Sequence, residues 1–288
     1  MATPPQSFVL DRSIFNETLY SRLREFWLAG VPHNATSPPF EALQKWFGVG
    51  RSPEEKAAFD GECYSEFGEA LEAIGPSKLA LPAWEGYEKD LENVEAISAP
   101  LLAEVKNALG QNVEGGVQTL LSLSLLLDQM PRNIYRDGDG LRLVFTHYDR
   151  LAWSLLRSSM KLSPNPLEHE NVKGRPLYLT WYLIPLMHCE HLPSHDIFLE
   201  YAQNCRLTFL EKQDTAAVEY MDRNIEFEEK HIEPLKLFGR YPHRNEALGR
   251  KCTPEEEAYL QTAETFGVKQ KQKDVKEDEK QDVDRSEL

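Results

Sequence analysis

Apolar residues recur with helical spacing along most of the chain. Phe59, Cys63, Phe67 and Leu71 follow one another at intervals of four residues, which places them on one face of a helix. The segment 117–127 is apolar on all sides and is predicted to be a central helix. Similar stripes predict further helices around residues 15–27, 91–109, 148–155, 177–187, 198–209 and 218–232. Because alternating strand patterns are missing, the fold is predicted to be all-α.

Two helix starts also carry capping signals. Ser52 precedes a proline and Glu55, and Thr253 precedes a proline and Glu256, which is the spacing of a capping box. We therefore expect a helix to begin at each of these positions. In total the pattern predicts about nine or ten helices, arranged as a stack of antiparallel helical hairpins.

The composition changes sharply near Phe266. Beyond it, the chain has no aromatic residue and consists mainly of lysine, glutamine and acidic residues, a composition typical of disorder. We predict a flexible N-terminus over 1–12, a single all-helical domain over 13–266, and a disordered charged tail over 267–288. A third, weaker functional idea is that this tail recruits a partner on its own.

The charge of the 288-residue chain is strongly negative, with 32 basic and 47 acidic residues and a net charge of −15. This balance argues against binding to nucleic acid or to anionic membranes. No secretory signal and no continuous apolar segment of about 20 residues is visible. The four cysteines form no C-x-x-C pair, so reduced thiols and a cytoplasmic location are expected.

A carboxylate follows directly after the leucine-rich central segment. Asp128 and Gln129 precede Pro131, and Arg132 and Asn133 follow it. A carboxylate in such apolar surroundings is costly unless it is paired. Proline is expected to break the helix and to leave Arg132 and Asn133 at its end, where they can turn toward a shared pocket.

A second polar group follows the apolar segment 177–187. His188 and His191 would share a helix face, but neither zinc-protease nor zinc-finger spacing is present, so no metal site is predicted. One interpretation is a structural histidine that bonds to a carboxylate such as Glu190. The other is a general acid or base, because imidazole titrates near neutral pH.

A third polar group is basic. Residues 236–251 carry five positive charges against one glutamate, in an otherwise acidic protein. The polar candidates here are His231, Arg240, His243, Arg244 and Asn245. The arginines either pair with internal acids such as Asp128 and Glu190, or bind the phosphate or carboxylate of a ligand through bidentate contacts.

Three segments are similar to a known family. Leu-Leu-Leu-Asp-Gln-Met-Pro-Arg-Asn-Ile-Tyr-Arg at 125–136, Pro-Leu-Met-His-Cys-Glu at 185–190, and the Phe-Gly-Arg-Tyr-Pro-His-Arg-Asn run within 231–250 resemble the signature of Domain of Unknown Function 924. The resemblance covers about residues 20–262. Met130, Tyr241 and Cys189 depart mildly from the family pattern, which usually has Phe, Phe and Ser at these places.

The resemblance implies a tetratricopeptide-like helical stack and supplies no reaction. It does imply that one set of polar positions belongs together. That set is Asp128, Gln129, Arg132, Asn133, His188, Glu190, His231, Arg240, His243, Arg244 and Asn245. The set is larger than helix stacking requires, which favours a small-molecule site.

Two functions fit these residues. The first is a pocket for an anionic metabolite between the middle helices and the C-terminal turn, held by Arg132, Arg240 and Arg244. His188, oriented by Glu190 or Asp128, would be the acid or base and His243 the second candidate. Arginines that bind an anion together with a histidine acid or base are suited to hydrolysis, elimination or isomerisation.

The second function is a helical-repeat scaffold whose concave face binds a peptide and whose polar cluster is purely structural. Phosphate-binding and dinucleotide-binding glycine motifs are missing from the sequence, and no cofactor is predicted. Whether the protein is an enzyme, and its oligomeric state, stay open at this point.

Overall fold

All regular elements in the part of the chain that the computed structural model describes, residues 8–268, are helical, and no strand occurs in that range. The all-α prediction is therefore confirmed. Residues 1–7 and 269–288, which include most of the predicted flexible N-terminus and charged tail, lie outside the described residues. Between residues 8 and 268, none of the helices is both long enough and apolar enough to cross a membrane.

The N-terminal half contains five helices before residue 125. They are α1 (Glu17–Trp27), α2 (Phe40–Phe47), α3 (Pro53–Ala73), α4 (Tyr87–Gln111) and α5 (Val113–Ser124). Helix α3 begins with the predicted capping box, in which Ser52 and Glu55 bond reciprocally to each other's backbone N–H. The short helix α2 escaped prediction because its eight residues span only two turns.

The C-terminal half carries the remaining helices. They are α6 (Met130–Ile134), α7 (Gly138–Leu143), α8 (Asp149–Ser159), α9 (Glu170–Lys173), α10 (Pro176–Met187), α11 (Leu192–Glu211), α12 (Thr215–Phe238) and α13 (Pro254–Tyr259). The capping box predicted at Thr253 and Glu256 is present at the start of α13. A single 3₁₀ turn, Pro242–Arg244, lies in the connection between α12 and α13.

Helix α5 lies at the centre of the packing, as its all-round apolar surface predicts. Helices α1, α4 and α10 contact it, α8 packs along α4, and α11 packs along α12. Tryptophans from α1, α2 and α10 meet in one aromatic cluster, in which the Trp27 and Trp46 rings lie 5.2 and 4.9 Å from the ring of Trp181. These helix pairs are compatible with a tetratricopeptide-like stack, which stays a prediction.

The prediction that Pro131 breaks the helix was wrong. Helix α5 continues through a π-turn (Leu125–Gln129) directly into α6, and Pro131 lies in the first turn of α6. Proline has no backbone N–H, so a helix loses one i→i−4 hydrogen bond at that residue. Here the π-turn has already changed the backbone hydrogen-bond pattern immediately before Pro131, and the helix continues through the proline. Arg132 and Asn133 lie in the last turn of α6, so their predicted position at a helix end is confirmed. A second π-turn, Val144–Tyr148, directly precedes α8.

Candidate functional site

Asp128 and His188 form a direct contact in the interior. Asp128 is fully buried in the first π-turn, and His188 is the residue that caps the end of α10. The Nδ1 atom of His188 donates to the two Asp128 oxygens at 2.8 and 3.0 Å. The Gln129 amide donates to the same carboxylate at 2.6 Å. Asp128 therefore fixes both the orientation and the tautomer of the imidazole, with the proton on Nδ1.

The charges around this pair set its protonation. Burial by itself would raise the pKa of Asp128, but the charge of Arg132 and the hydrogen bonds from His188 and Gln129 lower it to about 2. Burial and the Arg132 charge lower the pKa of His188, and Asp128 opposes them only in part. At neutral pH the pair is thus a carboxylate and a neutral imidazole. The Nε2 atom of His188 makes no hydrogen bond to the described residues and is free to accept a proton.

A second carboxylate joins two arginines beside this pair. Arg132 donates to the Asp149 oxygens at 2.7 and 3.1 Å and lies 3.5 Å from an Asp128 oxygen. Arg244, from the turn after α12, donates to Asp149 at 3.3 Å. Two arginines and two carboxylates therefore form one connected set, which contacts His188 through Asp128, and their formal charges balance.

Arg244 uses few of its hydrogen-bond donors. It is 5% exposed, and the contact with Asp149 is the single hydrogen bond that its side chain makes to the described residues. Its Nε atom is buried and has no partner there. The guanidinium lies 4.4 Å from the ring of Phe145 and 4.8 Å from the ring of Tyr241. Arg132 makes three hydrogen bonds by comparison, so Arg244 is the arginine with capacity left for a ligand.

Two more imidazoles surround His188. The ring of His231 lies 6.0 Å from that of His188, and His231 Nδ1 donates to the carbonyl oxygen of Phe227. His243 stacks on Tyr241 at 5.2 Å. Burial lowers the pKa of His231 well below its usual value. Burial and the charges of Arg244 and Arg250 lower the pKa of His243 to about 2. Three neutral imidazoles thus lie beside the arginines.

Several predicted residues do not reach this cluster. Glu190 accepts two hydrogen bonds from Arg250, each 2.8 Å long, and one from the backbone N–H of Tyr241, so it does not orient His188. Arg240 and Asn245 both donate to Glu256 at the start of α13.

The predicted Asn133 also lies in a separate set of contacts. Its side-chain oxygen accepts a hydrogen bond from Arg136 at 2.8 Å, and its amide donates to the carbonyl oxygen of Gln129. These contacts hold the C-terminal end of α6 together. Of the predicted ligand-binding residues, the structure brings Gln129, Arg132, Arg244 and His231 to the Asp128–His188 pair.

Asp149 is the residue that sequence reasoning missed. It joins Arg132 to Arg244 although it is 17 residues from the first and 95 from the second. The available signal was an acid beside an apolar stripe: Asp149 lies at the start of the stripe that begins at Tyr148, whereas Asp128 lies at the end of one. Arg250 was counted among the basic residues but not selected, although it pairs with Glu190.

Phe266 covers the histidine cluster from the C-terminal side. Its ring stacks on His231 at 3.8 Å and meets His243 edge-on at 5.3 Å. Phe266 and Gly267 both have positive φ angles, +50° and +82°, and the Val268 N–H donates to the Thr265 carbonyl oxygen, as in a type I′ turn. Phenylalanine is strained in this conformation, so the ring contacts must offset a backbone cost.

We expect Phe266→Asn to expose the histidines without disrupting the turn, because asparagine tolerates a positive φ. Loss of the ring should increase the rate at which diethyl pyrocarbonate modifies His231 and His243, measured by mass spectrometry of the digested protein. Phe47→Asn is the matched control, since Phe47 is 57% exposed and its ring contacts are with Trp46 and Trp181. Equal rates in wild type and Phe266→Asn would show that the ring does not shield the cluster.

A hollow in the described part of the chain is not lined by the Asp128–His188 pair. It has a volume of about 260 Å³ and is lined by residues of α1, α5 and α10 and of the segments that precede α2 and α10. None of the predicted site residues lines it. The Asp128–His188 pair instead lies under a nearly closed surface, with 15% of the His188 side chain exposed. Within residues 8–268, no group of three or more potential metal-ligand side chains is arranged to hold a metal ion.

Comparison with known proteins gives a family and no activity. A family model described as "Bacterial protein of unknown function (DUF924)" matches residues 23–264. The chain is also similar to a solved structure, the protein of unknown function ATU0120 from Agrobacterium tumefaciens, with 21% sequence identity and a TM-score of 0.47. That similarity covers 85% of this chain and 97% of the other. No curated protein matches the chain.

Proposed function

Starting from a chain that belongs to the DUF924 family of bacterial proteins, we propose that it is an acid–base enzyme acting on a small anionic metabolite. In this proposal His188 is the base that accepts a proton from the substrate through Nε2. Asp128 positions the imidazole, and Arg244 binds the anionic group. Hydrolysis, elimination and isomerisation all include such a proton transfer, so the proposal covers this class of reactions.

The observation that carries the proposal is the contact between Asp128 and His188. A buried carboxylate that accepts the Nδ1 proton leaves the Nε2 lone pair for a substrate and stabilises the imidazolium that forms. The buried His195 uses both ring nitrogens within the protein, with Glu228 and with the carbonyl oxygen of Cys189. His188 uses one.

The anionic character of the substrate rests on Arg244. Its buried Nε and its weak contact with Asp149 leave most of its donors unused, and a buried donor without a partner is costly. A phosphate or carboxylate oxygen would satisfy those donors. The neutral imidazoles of His231 and His243 lie beside it and would not repel an anion.

One observation favours the alternative, a helical scaffold whose polar cluster is structural. Arg132, Arg240 and Arg250 are each bonded to internal carboxylates, namely Asp149, Glu256 and Glu190. The Arg250–Glu190 pair joins the C-terminal turn to the end of α10, and none of the three pairs needs a ligand. The two functions predict different results for variants of Arg244 and His188. The enzyme needs these residues to bind and convert a small molecule, and the scaffold does not.

A thermal-shift screen of phosphorylated and carboxylated metabolites tests the proposal. A ligand at about 100 times its Kd adds about 2.7 kcal/mol to the free energy of unfolding. We expect at least one compound to stabilise the wild type and His188→Gln but not Arg244→Ala. Proton NMR of that compound with the protein should then show conversion by the wild type and none by His188→Gln.

Arg223→Ala serves as the matched control, because Arg223 is exposed on α12 and has no ion-pair partner among the described residues. It should respond to the ligand as the wild type does. If every stabilising compound acts equally on wild type and Arg244→Ala, or if His188→Gln converts the compound at the wild-type rate, the enzyme proposal fails and the scaffold remains.

A further inference from the structure

The 260 Å³ hollow contains charged groups that the proposed reaction does not use. Its wall is formed by α5 on one side and by α1 and the start of α10 on the other. The apolar part of the lining consists of Leu28, Val31, Val117 and Leu121. Two tyrosines, two arginines, two glutamates, a histidine and two amide side chains complete it. It is thus an amphipathic cleft separate from the His188 site.

Arg175 is a cation without an acidic partner in this cleft. Its Nη2 atom donates to Nε2 of His33 at 2.9 Å, and its guanidinium lies 5.0 Å from the Tyr178 ring. No carboxylate of the described residues forms an ion pair with it. An imidazole nitrogen is a poorer partner for a guanidinium than a carboxylate, which accepts two hydrogen bonds in a bidentate contact. The other arginine of the cleft, Arg24, already pairs with Glu17 at 2.8 Å.

Glu114 is an acid without a cationic partner in the same cleft. Its two oxygens accept hydrogen bonds from the amides of Gln118 and Asn171. The nearest basic group is His169, whose Nδ1 atom lies 3.9 Å away. That atom accepts the backbone N–H of Asn171, so it does not donate a hydrogen bond to Glu114. The second glutamate of the lining, Glu25, is exposed.

Arg175 and Glu114 line one hollow, yet they form no ion pair with each other. We propose that this cleft binds a zwitterion, an α-amino acid with an apolar side chain. The ligand carboxylate would bind Arg175 in place of His33, and its ammonium group would bind Glu114. The leucine and valine side chains of the wall would contact the ligand side chain. A zwitterion neutralises both unpaired charges, whereas a simple anion or cation would leave one of them unpaired.

The size of the cleft fits a ligand of this class. Drug-sized ligands occupy pockets of roughly 300–1,000 Å³, so a hollow of about 260 Å³ suits a metabolite at the small end of that range. The apolar lining supplies binding energy for an aliphatic side chain, and the charges set its orientation. The site does not depend on the proposed enzyme activity.

Isothermal titration calorimetry with the full chain and three probes tests this inference. The probes are L-leucine, 4-methylpentanoate, which lacks the ammonium group, and 3-methylbutylamine, which lacks the carboxylate. We expect L-leucine to bind and both analogues to bind at least tenfold more weakly. Arg175→Gln and Glu114→Gln should each weaken L-leucine binding about 10- to 100-fold, since hydrogen bonds to charged groups are among the stronger ones.

Arg223→Gln on α12 is the matched charge control, and His188→Gln separates this site from the proposed active site. Both should bind L-leucine as the wild type does. Arg175→Lys keeps the charge and should keep part of the affinity, which distinguishes loss of a contact from loss of the fold. Equal binding of 4-methylpentanoate and L-leucine would overturn the zwitterion site. So would the absence of heat with leucine, valine, isoleucine, methionine and phenylalanine at millimolar concentration.

Discussion

Replacing Asp128 by alanine is expected to lower the free energy of unfolding by about 3–5 kcal/mol, because the substitution removes one member of a buried ionic network. His188 and Gln129 would lose their acceptor, and the charge balance around Arg132 would change by one unit. The melting temperature should fall on the order of 10 °C. Urea denaturation at neutral pH measures the free energy directly.

Acidification of the wild type should remove the stability that the ionised Asp128 contributes. The pKa of Asp128 is lowered to about 2 in the folded protein from an ordinary value near 4. A lowered pKa stabilises the fold above the unfolded value, and this stabilisation disappears as the pH falls through the folded value. The wild type should therefore lose stability between about pH 4 and pH 2 more steeply than Asp128→Asn does.

Asp222→Ala is the matched control for Asp128. Asp222 pairs with Arg206 at the surface, where both side chains are at least one-third exposed, and such pairs contribute about 0–1 kcal/mol. If Asp128→Ala loses no more stability than Asp222→Ala, then Asp128 is not part of a tightly coupled network. Binding and activity would have to be explained without it.

Replacing Glu228 by leucine should be as costly as the loss of Asp128. Glu228 and His195 are completely buried, and the Glu228 Oε1 and His195 Nδ1 atoms lie 2.6 Å apart. The other ring nitrogen of His195 donates to the carbonyl oxygen of Cys189 at 2.9 Å. Removal of the carboxylate leaves a buried cation without its partner, which costs about 3–5 kcal/mol. The double variant His195→Leu with Glu228→Leu should recover much of this loss, because both charges are then removed together.

The His195–Glu228 pair should also make the free energy of unfolding decrease as the pH rises above neutral. Burial alone would lower the pKa of His195, but the side chains of Cys189 and Glu228 raise it to about 10. A raised histidine pKa stabilises the fold fully below the unfolded value near 6.5, and this stabilisation is lost as the pH rises through the folded value. The unfolding free energy of the wild type should thus decrease between pH 7 and pH 10. The same slope in the double variant would contradict this assignment.

Helix positions were predictable from the sequence because they depend on neighbours within one or two turns. The stripe from Phe59 to Leu71 lies in α3, and the capping boxes at Ser52 and Thr253 start α3 and α13. Prediction from local sequence patterns failed where the backbone hydrogen-bond pattern of a helix changed. The π-turn ahead of Pro131 is such a case, since no periodicity in the residues indicated it.

The candidate site was predictable in its members more than in its pairings. Asp128, His188, Arg132 and Arg244 meet as a cluster, although 60 residues separate the first two and 95 separate Arg244 from Asp149. Polar residues within or beside apolar segments of the sequence identified the side chains that need a hydrogen-bond or ion-pair partner when they are buried. The choice of partner was predictable only in part: Glu190, one of two acids expected to orient His188, pairs instead with Arg250, as the structural interpretation of the basic segment predicted.

The sequence by itself determined the all-helical class, most helix starts and the residues whose polarity conflicts with their surroundings, because these follow from short-range periodicity and the cost of burying polar groups. The tertiary structure alone decided which carboxylate meets which arginine, that Phe266 covers the histidines, and that Arg175 and Glu114 share a cleft without pairing. Those contacts join residues from distant parts of the chain. Their geometry is set by how the helices pack, and packing depends on the whole set of side chains at once.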